Sequence, residues 1–370
     1  MRAPVAVVAV LLAAGVLGSV GACSDEGTGT LPAPAATATV PGASATPAGT
    51  TVREARLAIV GDVMLGRRVG AAIRDDPAGP LRPTATRLAG ADLTIGTFES
   101  TLSRLGRPTQ GEDSFSADPA VLDGLELAGF DLLSLANNHV GDFGARSLVD
   151  TVRRLRAAGF ATVGAGADAA DAREPVVLEA NGLRVGVLAF NAIGETPRVG
   201  ERRPGAVTLA MQPRLGDLSE TDLRAMTDAI RDLDARTDAV LVLPHWGEQY
   251  THVPVRDQRR VARALVAAGA DLVVGSHPHV VQAAERIGSS FVAYSLGNFV
   301  FDMDFSVPTQ QGVILEVTLR ALDGDATVDR TTFVPYRIGA DFAPRVLDRS
   351  SDQGRAILRR IWGPGSVSPR

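Results

Sequence analysis

The sequence predicts an α/β protein built around a mixed β-sheet. Short, continuously apolar runs recur from residue 56 onward and alternate with segments rich in Ala, Leu and Arg. Runs of this kind are typical of strands that helices bury on both faces. In residues 176–190, 280–295 and 312–335, apolar runs follow one another without a helical segment between them, which indicates neighbouring strands and hence a mixed sheet.

The elements can be placed in order along the chain. Seven apolar runs are predicted to be strands, at residues 56–61, 92–98, 131–136, 162–166, 183–190, 239–244 and 271–276. Five segments between them are predicted to be helices, at residues 67–75, 119–129, 145–158, 219–235 and 255–268. The pair Asn181-Gly182 lies between two apolar runs, and this dipeptide is a strong hairpin signal.

The N-terminal segment has the composition of an export signal. Residues 1–23 carry one positive residue, Arg2, then an apolar run, then small residues directly before Cys23, the only cysteine of the chain. This pattern matches a lipobox, in which Cys23 becomes the lipid-modified N-terminus; the alternative is an uncleaved anchor helix with an incidental cysteine. Both alternatives predict a body outside the cytoplasm, anchored to a bacterial cell membrane.

The rest of the chain divides into three parts. Residues 24–55 are rich in Pro, Ala and Thr without apolar periodicity and are predicted to be a disordered tether. Residues 56–346 form one predicted domain, and residues 347–370 a polar tail with one short helical piece. The formal net charge of −5 gives no support for a nucleic-acid partner, which would require a basic surface.

Polar residues follow several of the predicted strands. In open α/β sheets, functional side chains collect beyond the carboxyl ends of the strands. Here those positions hold two carboxylates, one amide and four of the five histidines: Asp62, Glu99, Asn138, His139, His245, His277 and His279. Mixed nitrogen and oxygen donors suit a divalent metal such as Mn, Zn or Fe. Pro278 makes an irregular backbone plausible between the two histidines on either side of it.

Six motifs together resemble the capsule-synthesis CapA family, which is associated with bacterial poly-γ-glutamate. They cover roughly residues 57–302 and read GDVMLGR, FES, SLANNHVGDFG, LPHWGEQY, GSHPHVVQ and YSLGNFVFD. That family in turn is similar to the calcineurin-like metallophosphoesterases. The resemblance implies a four-layer α/β/β/α sandwich with mixed sheets and a site for one or two metal ions.

Carried over by position, the resemblance implies metal ligands at Asp62, Glu99, Asn138, His245, His277 and His279. It implies hydrolysis by a metal-activated water, with Asp62 in the catalytic set and His139 as general acid or, alternatively, as a residue that orients a ligand. Met64 stands where the pattern has a histidine, and a thioether is a poor ligand for a hard metal. Asn298 and Asp302, also in the family pattern, are weaker candidates for the pocket.

Three functions remain open from the sequence. The first is a tethered metal-dependent hydrolase acting on a phosphoester or an amide-linked envelope polymer. The second is an accessory protein that binds an anionic envelope polymer such as poly-γ-glutamate and aids its synthesis, export or retention. The third is a metal-free structural protein. The chain has no phosphate-binding loop of the GxxxxGK[ST] kind, so any ATP-driven polymerisation requires a synthase partner, expected at the membrane.

Overall fold

The computed structural model describes residues 52–322 and 324–362. Strand β1 begins at Val52, four residues before the predicted start of the domain, because Val52–Arg56 pairs with Leu322–Thr318 of a neighbouring strand. The predicted signal segment 1–23, its Cys23 and most of the predicted tether lie outside the described residues.

The described strands form two large sheets and one small one. In chain order the strands are β1 Val52–Val63, β2 Leu93–Phe98, β3 Leu132–Ser134, β4 Ala161–Val163, β5 Ala165–Gly166, β6 Val176–Ala180, β7 Leu183–Asn191, β8 Gly205–Ala206, β9 Ala239–His245, β10 Leu272–Val274, β11 Ala284–Ile287, β12 Ser290–Ala293, β13 Asn298–Val300, β14 Gln311–Leu322, β15 Ala326–Ile338 and β16 Pro344–Val346. Every strand predicted from the sequence has a counterpart among them.

Both large sheets are mixed. The first runs β16-β15-β14-β1-β2-β3-β4, with β13 beside the end of β1. Its β1, β2, β3 and β4 are parallel neighbours, whereas β14 and β15 pair antiparallel. The second runs β11-β12-β10-β9-β7-β6, with a parallel centre and an antiparallel strand at each edge. The predicted hairpin at Asn181-Gly182 joins β6 to β7.

Eight helices lie among the described residues. They are α1 Arg67–Ala72, α2 Arg82–Leu88, α3 Leu122–Leu127, α4 Ala145–Ala157, α5 Ala169–Arg173, α6 Glu220–Asp234, α7 Arg256–Ala267 and α8 Asp352–Trp362. All five predicted helices are present, but α1 and α3 are shorter than predicted. Two further short helices, α2 and α5, were not predicted.

Three apolar clusters give the layer order. The central cluster takes side chains from both sheets, for example Ile59 and Leu315 from the first and Leu241 and Phe291 from the second. A second cluster joins the other face of the first sheet to α1–α4, and a third joins the other face of the second sheet to α6 and α7. The four-layer α/β/β/α sandwich with mixed sheets is therefore confirmed.

The C-terminal helix α8 belongs to this body. Ile357 and Ile361 are buried in the central cluster, and the ring of Trp362 meets Phe333 of β15 edge-on with centroids 5.6 Å apart. The segment predicted as a polar tail from 347 therefore packs as part of the domain through residue 362, because its apolar residues recur at helical spacing. No helix of residues 52–322 and 324–362 combines the length and hydrophobicity needed to cross a membrane.

Candidate metal centre

The centre forms where the carboxyl ends of strands from both large sheets meet. Asp62 lies at the end of β1, Glu99 directly follows β2, and His245 ends β9. Asn138 follows β3, while His277 and His279 follow β10. The side chains of all six residues are almost completely buried. The structure thus brings together every residue that was predicted to bind metal.

The loop after β10 has an unusual backbone. His277 and His279 have φ values of 95° and 59°, in the left-handed region that non-glycine residues rarely adopt. The backbone N–H of His277 donates to Asp62 Oδ2 at 3.2 Å, and the Pro278 carbonyl accepts from Tyr250 N at 2.8 Å. Strained backbone of this kind clusters at functional sites, where surrounding contacts maintain it. The irregular backbone expected around Pro278 is present.

The donor atoms fall into two sets of three. The first ligand group is Glu99, His245 and His277, and the second ligand group is Asp62, Glu99 and His279. In each group the three ligand atoms lie within 4.8 Å of one another, close enough to hold one metal ion. Glu99 belongs to both groups, so its carboxylate would contribute a ligand oxygen at either position.

Polar atoms without partners converge on this point. Among the described residues, buried atoms that lack a hydrogen-bond partner include Asp62 Oδ1, both oxygens of Glu99 and both ring nitrogens of His277. A buried polar atom without a partner costs about 1–3 kcal/mol. Five such atoms in three adjacent residues, all of them good donors to borderline metals, therefore fit a bound divalent cation.

Burial sets the charge of the donor set. Burial raises the pKa of Asp62 to about 7, against a hydrogen bond from the His277 backbone that lowers it. Burial and the nearby Asp62 charge raise the pKa of Glu99 well above its usual value. Burial lowers the pKa of His279 to about 3 and holds the pKa values of His245 and His277 well below the usual value. The imidazoles are thus neutral and ready to bind a cation.

Two of the imidazoles are oriented by hydrogen bonds. His245 Nδ1 lies 2.8 Å from the hydroxyl of Ser276, and in the metal-free protein its Nε2 donates to Asn138 Oδ1, also at 2.8 Å. His279 Nδ1 lies 2.9 Å from Asn298 Oδ1, whose amide nitrogen donates to the Thr309 carbonyl at 3.0 Å. Because Asn298 Oδ1 can only accept, His279 Nδ1 carries the proton and Nε2 is free. Contacts of this kind orient metal-binding histidines.

His139 lies beside the two ligand groups. Its Nδ1 is 2.8 Å from Asp142 Oδ2, and its Nε2 is 3.8 Å from Glu99 Oε1. Its ring stacks on Phe115 with centroids 3.7 Å apart. Asp142 also accepts hydrogen bonds from Phe115 N and from the side chain of Gln110, so the carboxylate is fixed. His139 therefore directs Nε2 toward the centre while Asp142 fixes the ring.

Met64 is not placed like a ligand. Its side chain is fully buried in the apolar cluster between the first sheet and its helices. Its sulfur accepts a hydrogen bond from Gly66 N at 3.1 Å. Without any contribution from Met64, the second ligand group still has three donors, so the substitution leaves two candidate ion positions among the described residues.

Two other candidates have different surroundings. Asn298 contacts His279, as above, so it orients a ligand. Asp302 instead contacts Arg67 and Arg68, with its backbone carbonyl accepting from Arg68 Nη2 at 2.7 Å. His252 Nδ1 donates to the Val281 carbonyl at 2.8 Å, and His252 belongs to neither ligand group. Asp302 and His252 are therefore outside the donor set.

Three functional candidates were missed in the sequence. Asp142 lies three residues after His139 in the same motif, and its carboxylate contacts the ring of His139. Ser276 precedes His277 in the same motif. Glu195, whose Oε2 accepts from Asn138 Nδ2 at 2.6 Å, follows the end of β7 by four residues. The strand-end rule applied to β7, as it was to the other strands, would have pointed to this turn.

Residues 56–303 match the family described as bacterial capsule synthesis protein PGA_cap, which is well over half of the chain. The chain therefore belongs to this family, and the resemblance seen in the six motifs is confirmed.

Two relatives are informative. The chain is 32% identical over 311 residues to the capsule biosynthesis protein CapA of Bacillus anthracis, across 82% of this chain and 72% of that protein. It is 29% identical over 252 residues to the PGA biosynthesis protein CapA of Bacillus subtilis (strain 168), across 67% of this chain and 63% of that protein.

Among solved structures, the calcineurin-like phosphoesterase YfkN from Bacillus subtilis superposes with a TM-score of 0.46 and 11% sequence identity. The superposition covers 84% of this chain and 97% of that one.

Proposed function

We propose that this chain is an extracytoplasmic accessory protein of capsule or poly-γ-glutamate synthesis, export or retention, with a divalent metal centre of hydrolase type. Its family and its two CapA relatives support the capsule context. The proposal includes a lipid anchor at Cys23, which rests on the sequence pattern before that residue, and Mn, Zn or Fe as the bound metal.

One observation carries the metal centre. Five buried donor atoms of Asp62, Glu99 and His277 have no hydrogen-bond partner, and they converge with His245 and His279 on two adjacent positions. A metal-free structural role gives no reason for such a costly arrangement. Ions at these positions would be held by Glu99 and the two ligand groups, with Asn138 Oδ1 beside the first.

The residues of the centre have separate chemical roles. A bound divalent cation supplies polarisation of an anionic or carbonyl oxygen and activation of water. Glu99 and Asp62 compensate positive charge within a buried pocket. His139, oriented by Asp142, directs Nε2 toward the centre, where it is in position to transfer a proton to a leaving group.

The His139–Asp142 pair favours a second candidate function, that of a phosphoesterase or amide hydrolase acting on another envelope substrate. A protein that only binds polymer has no need for a proton donor fixed by a buried carboxylate. Under this alternative the same centre turns over a substrate, whereas under the accessory function it holds the anionic groups of a polymer.

Metal analysis of the purified protein tests the centre, and activity assays separate the two functions. We expect stoichiometric Mn, Zn or Fe, and retention of poly-γ-glutamate that is lost when the metal is chelated. Wild type and His139→Ala are then assayed on a phosphodiester, a phosphomonoester and a γ-glutamyl substrate. Equal background rates support the accessory function; turnover that His139→Ala abolishes supports the hydrolase. Absence of bound metal would exclude both.

Labelling with a radioactive fatty acid tests the anchor. In a bacterial host that processes lipoproteins, wild type is expected to take up label and sediment with membranes. Cys23→Ser is expected to lose the label. Equal labelling of both proteins would contradict lipid attachment at Cys23.

A further inference from the structure

Glu195 is a carboxylate at the edge of the centre, outside both ligand groups. It lies in the turn after β7 with a φ of 60°, a left-handed conformation that non-glycine residues seldom adopt. The turn is held by Asn191, whose Nδ2 donates to the Gly194 carbonyl and whose Oδ1 accepts from Ile193 N, both at 2.9 Å. A strained residue fixed in this way indicates a functional constraint on its side chain.

The side chain of Glu195 contacts Asn138. Asn138 Nδ2 donates to Glu195 Oε2 at 2.6 Å, while Asn138 Oδ1 lies 2.8 Å from His245 Nε2. A carboxylate accepts hydrogen bonds and does not donate them, so the amide nitrogen must face Glu195. The amide oxygen therefore faces the first ligand group. If the amide group of Asn138 were rotated by half a turn, it would present N–H groups to a cation instead of an oxygen.

We propose that Glu195 is a positioning residue, which fixes the amide of Asn138 so that its oxygen completes the first ligand group. This inference rests on the proposed metal centre. Partners that orient metal ligands commonly contribute about 10- to 100-fold to metal affinity. Glu195 would raise the metal affinity without binding the metal itself, through its one hydrogen bond with Asn138.

Arg214 offers a way to isolate that hydrogen bond. Arg214 Nη2 donates to Glu195 Oε1 at 3.0 Å, on the carboxylate oxygen that Asn138 does not use. Its guanidinium is positively charged, and a positive charge beside Glu195 disfavours a cation at the neighbouring first ligand group. Removing Arg214 therefore leaves the Asn138 contact in place and does not weaken cation binding.

The test measures Mn²⁺ affinity of the purified full chain by titration calorimetry, together with thermal unfolding of the metal-free protein. Glu195→Ala is expected to weaken binding at one of the two positions by about 10- to 100-fold. Glu195→Gln, which keeps an acceptor oxygen, is expected to stay nearer to wild type than to Glu195→Ala. Arg214→Ala is expected to bind Mn²⁺ at least as tightly as wild type.

Each outcome has one meaning. If wild type binds Mn²⁺ and Glu195→Ala binds it equally well, the inference is wrong while the metal centre stands. If Arg214→Ala loses as much affinity as Glu195→Ala, the ion pair and not the amide orientation is responsible, and the inference is again wrong. If wild type binds no Mn²⁺, Zn²⁺ or Fe²⁺, the proposed centre itself fails.

Discussion

His277 is fully buried, and neither of its ring nitrogens has a hydrogen-bond partner. A bound ion would give one of these nitrogens a partner, and His277 belongs to the first ligand group. His277→Ala is therefore expected to remove about one metal ion per chain. The second ligand group does not contain His277 and should keep its ion. Elemental analysis of the purified variant checks this expectation.

His252→Ala is the matched control, since His252 lies outside both ligand groups. It should keep the wild-type metal content. Equal loss of metal in both variants would mean that the effect is general destabilisation and not removal of a ligand.

The pKa of Asp62 predicts how metal binding depends on pH. With a pKa of about 7 in the folded, metal-free protein, this carboxyl is protonated at lower pH, and a cation must displace the proton. Asp62 alone should therefore make metal affinity fall by up to about tenfold per pH unit below 7, and the raised pKa of Glu99 adds to this fall. Titration calorimetry at several pH values measures this; affinity that does not change between pH 6 and 8 would contradict it.

The same shift has a defined sign for stability. The folded pKa of Asp62 lies above its usual value of 3.8, so its contribution to stability is full below pH 3.8 and is lost as the pH rises through about 7. A saturating divalent cation should remove this loss. The pKa of His279 is lowered from 6.5 to about 3, so its contribution to stability has the opposite sign. That contribution is full above pH 6.5 and is lost as the pH falls through about 3.

At the scale of elements, the parallel pairing of β1 with β13 holds the second ligand group together. Asp62 pairs with Asn298 in register, and Asn298 in turn contacts His279. A Cβ built on Gly61 would overlap the carbonyl oxygen of Gly297. Gly61→Ala should therefore push the two strands apart, with a cost of roughly 1–3 kcal/mol in stability and a loss of metal affinity.

Denaturant unfolding and metal titration of Gly61→Ala measure both effects. Gly200→Ala serves as the control, because a Cβ there would meet Arg203 only at ordinary contact distance, 3.5 Å from its Cβ. If Gly61→Ala behaves like Gly200→Ala, the close approach of the strands does not determine the site.

The regular elements were predictable where the apolar pattern was long. β7 and α6, for example, lie within one or two residues of their predicted bounds because each buries a continuous run or a helical stripe. Helices α2 and α5, of 7 and 5 residues, have too few turns to produce a periodic signal and depend on tertiary packing. The six ligand candidates were found because strand ends place them. The end of β7 points in the same way to the turn that holds Glu195, but the contact of Glu195 with Asn138 depends on a left-handed conformation that the sequence does not reveal.

At the scale of the molecule, α8 closes the central cluster between the sheets. Ile357 is completely buried there, so Ile357→Ala is expected to lower the free energy of unfolding by about 2–5 kcal/mol. The exposed Arg355 on the same helix provides the control, and Arg355→Ala should change stability little. Equal stability of the two variants in urea unfolding would mean that α8 is not part of the cooperative unit.

The length of β1 separates the two ends of the body. Its first residue, Val52, is also the first residue that the structure describes, and Asp62 of the metal centre is ten residues further along the strand. At about 3.3 Å per residue, that distance is roughly 33 Å. The metal centre therefore lies at the opposite end of this strand from the point at which the described chain enters the body.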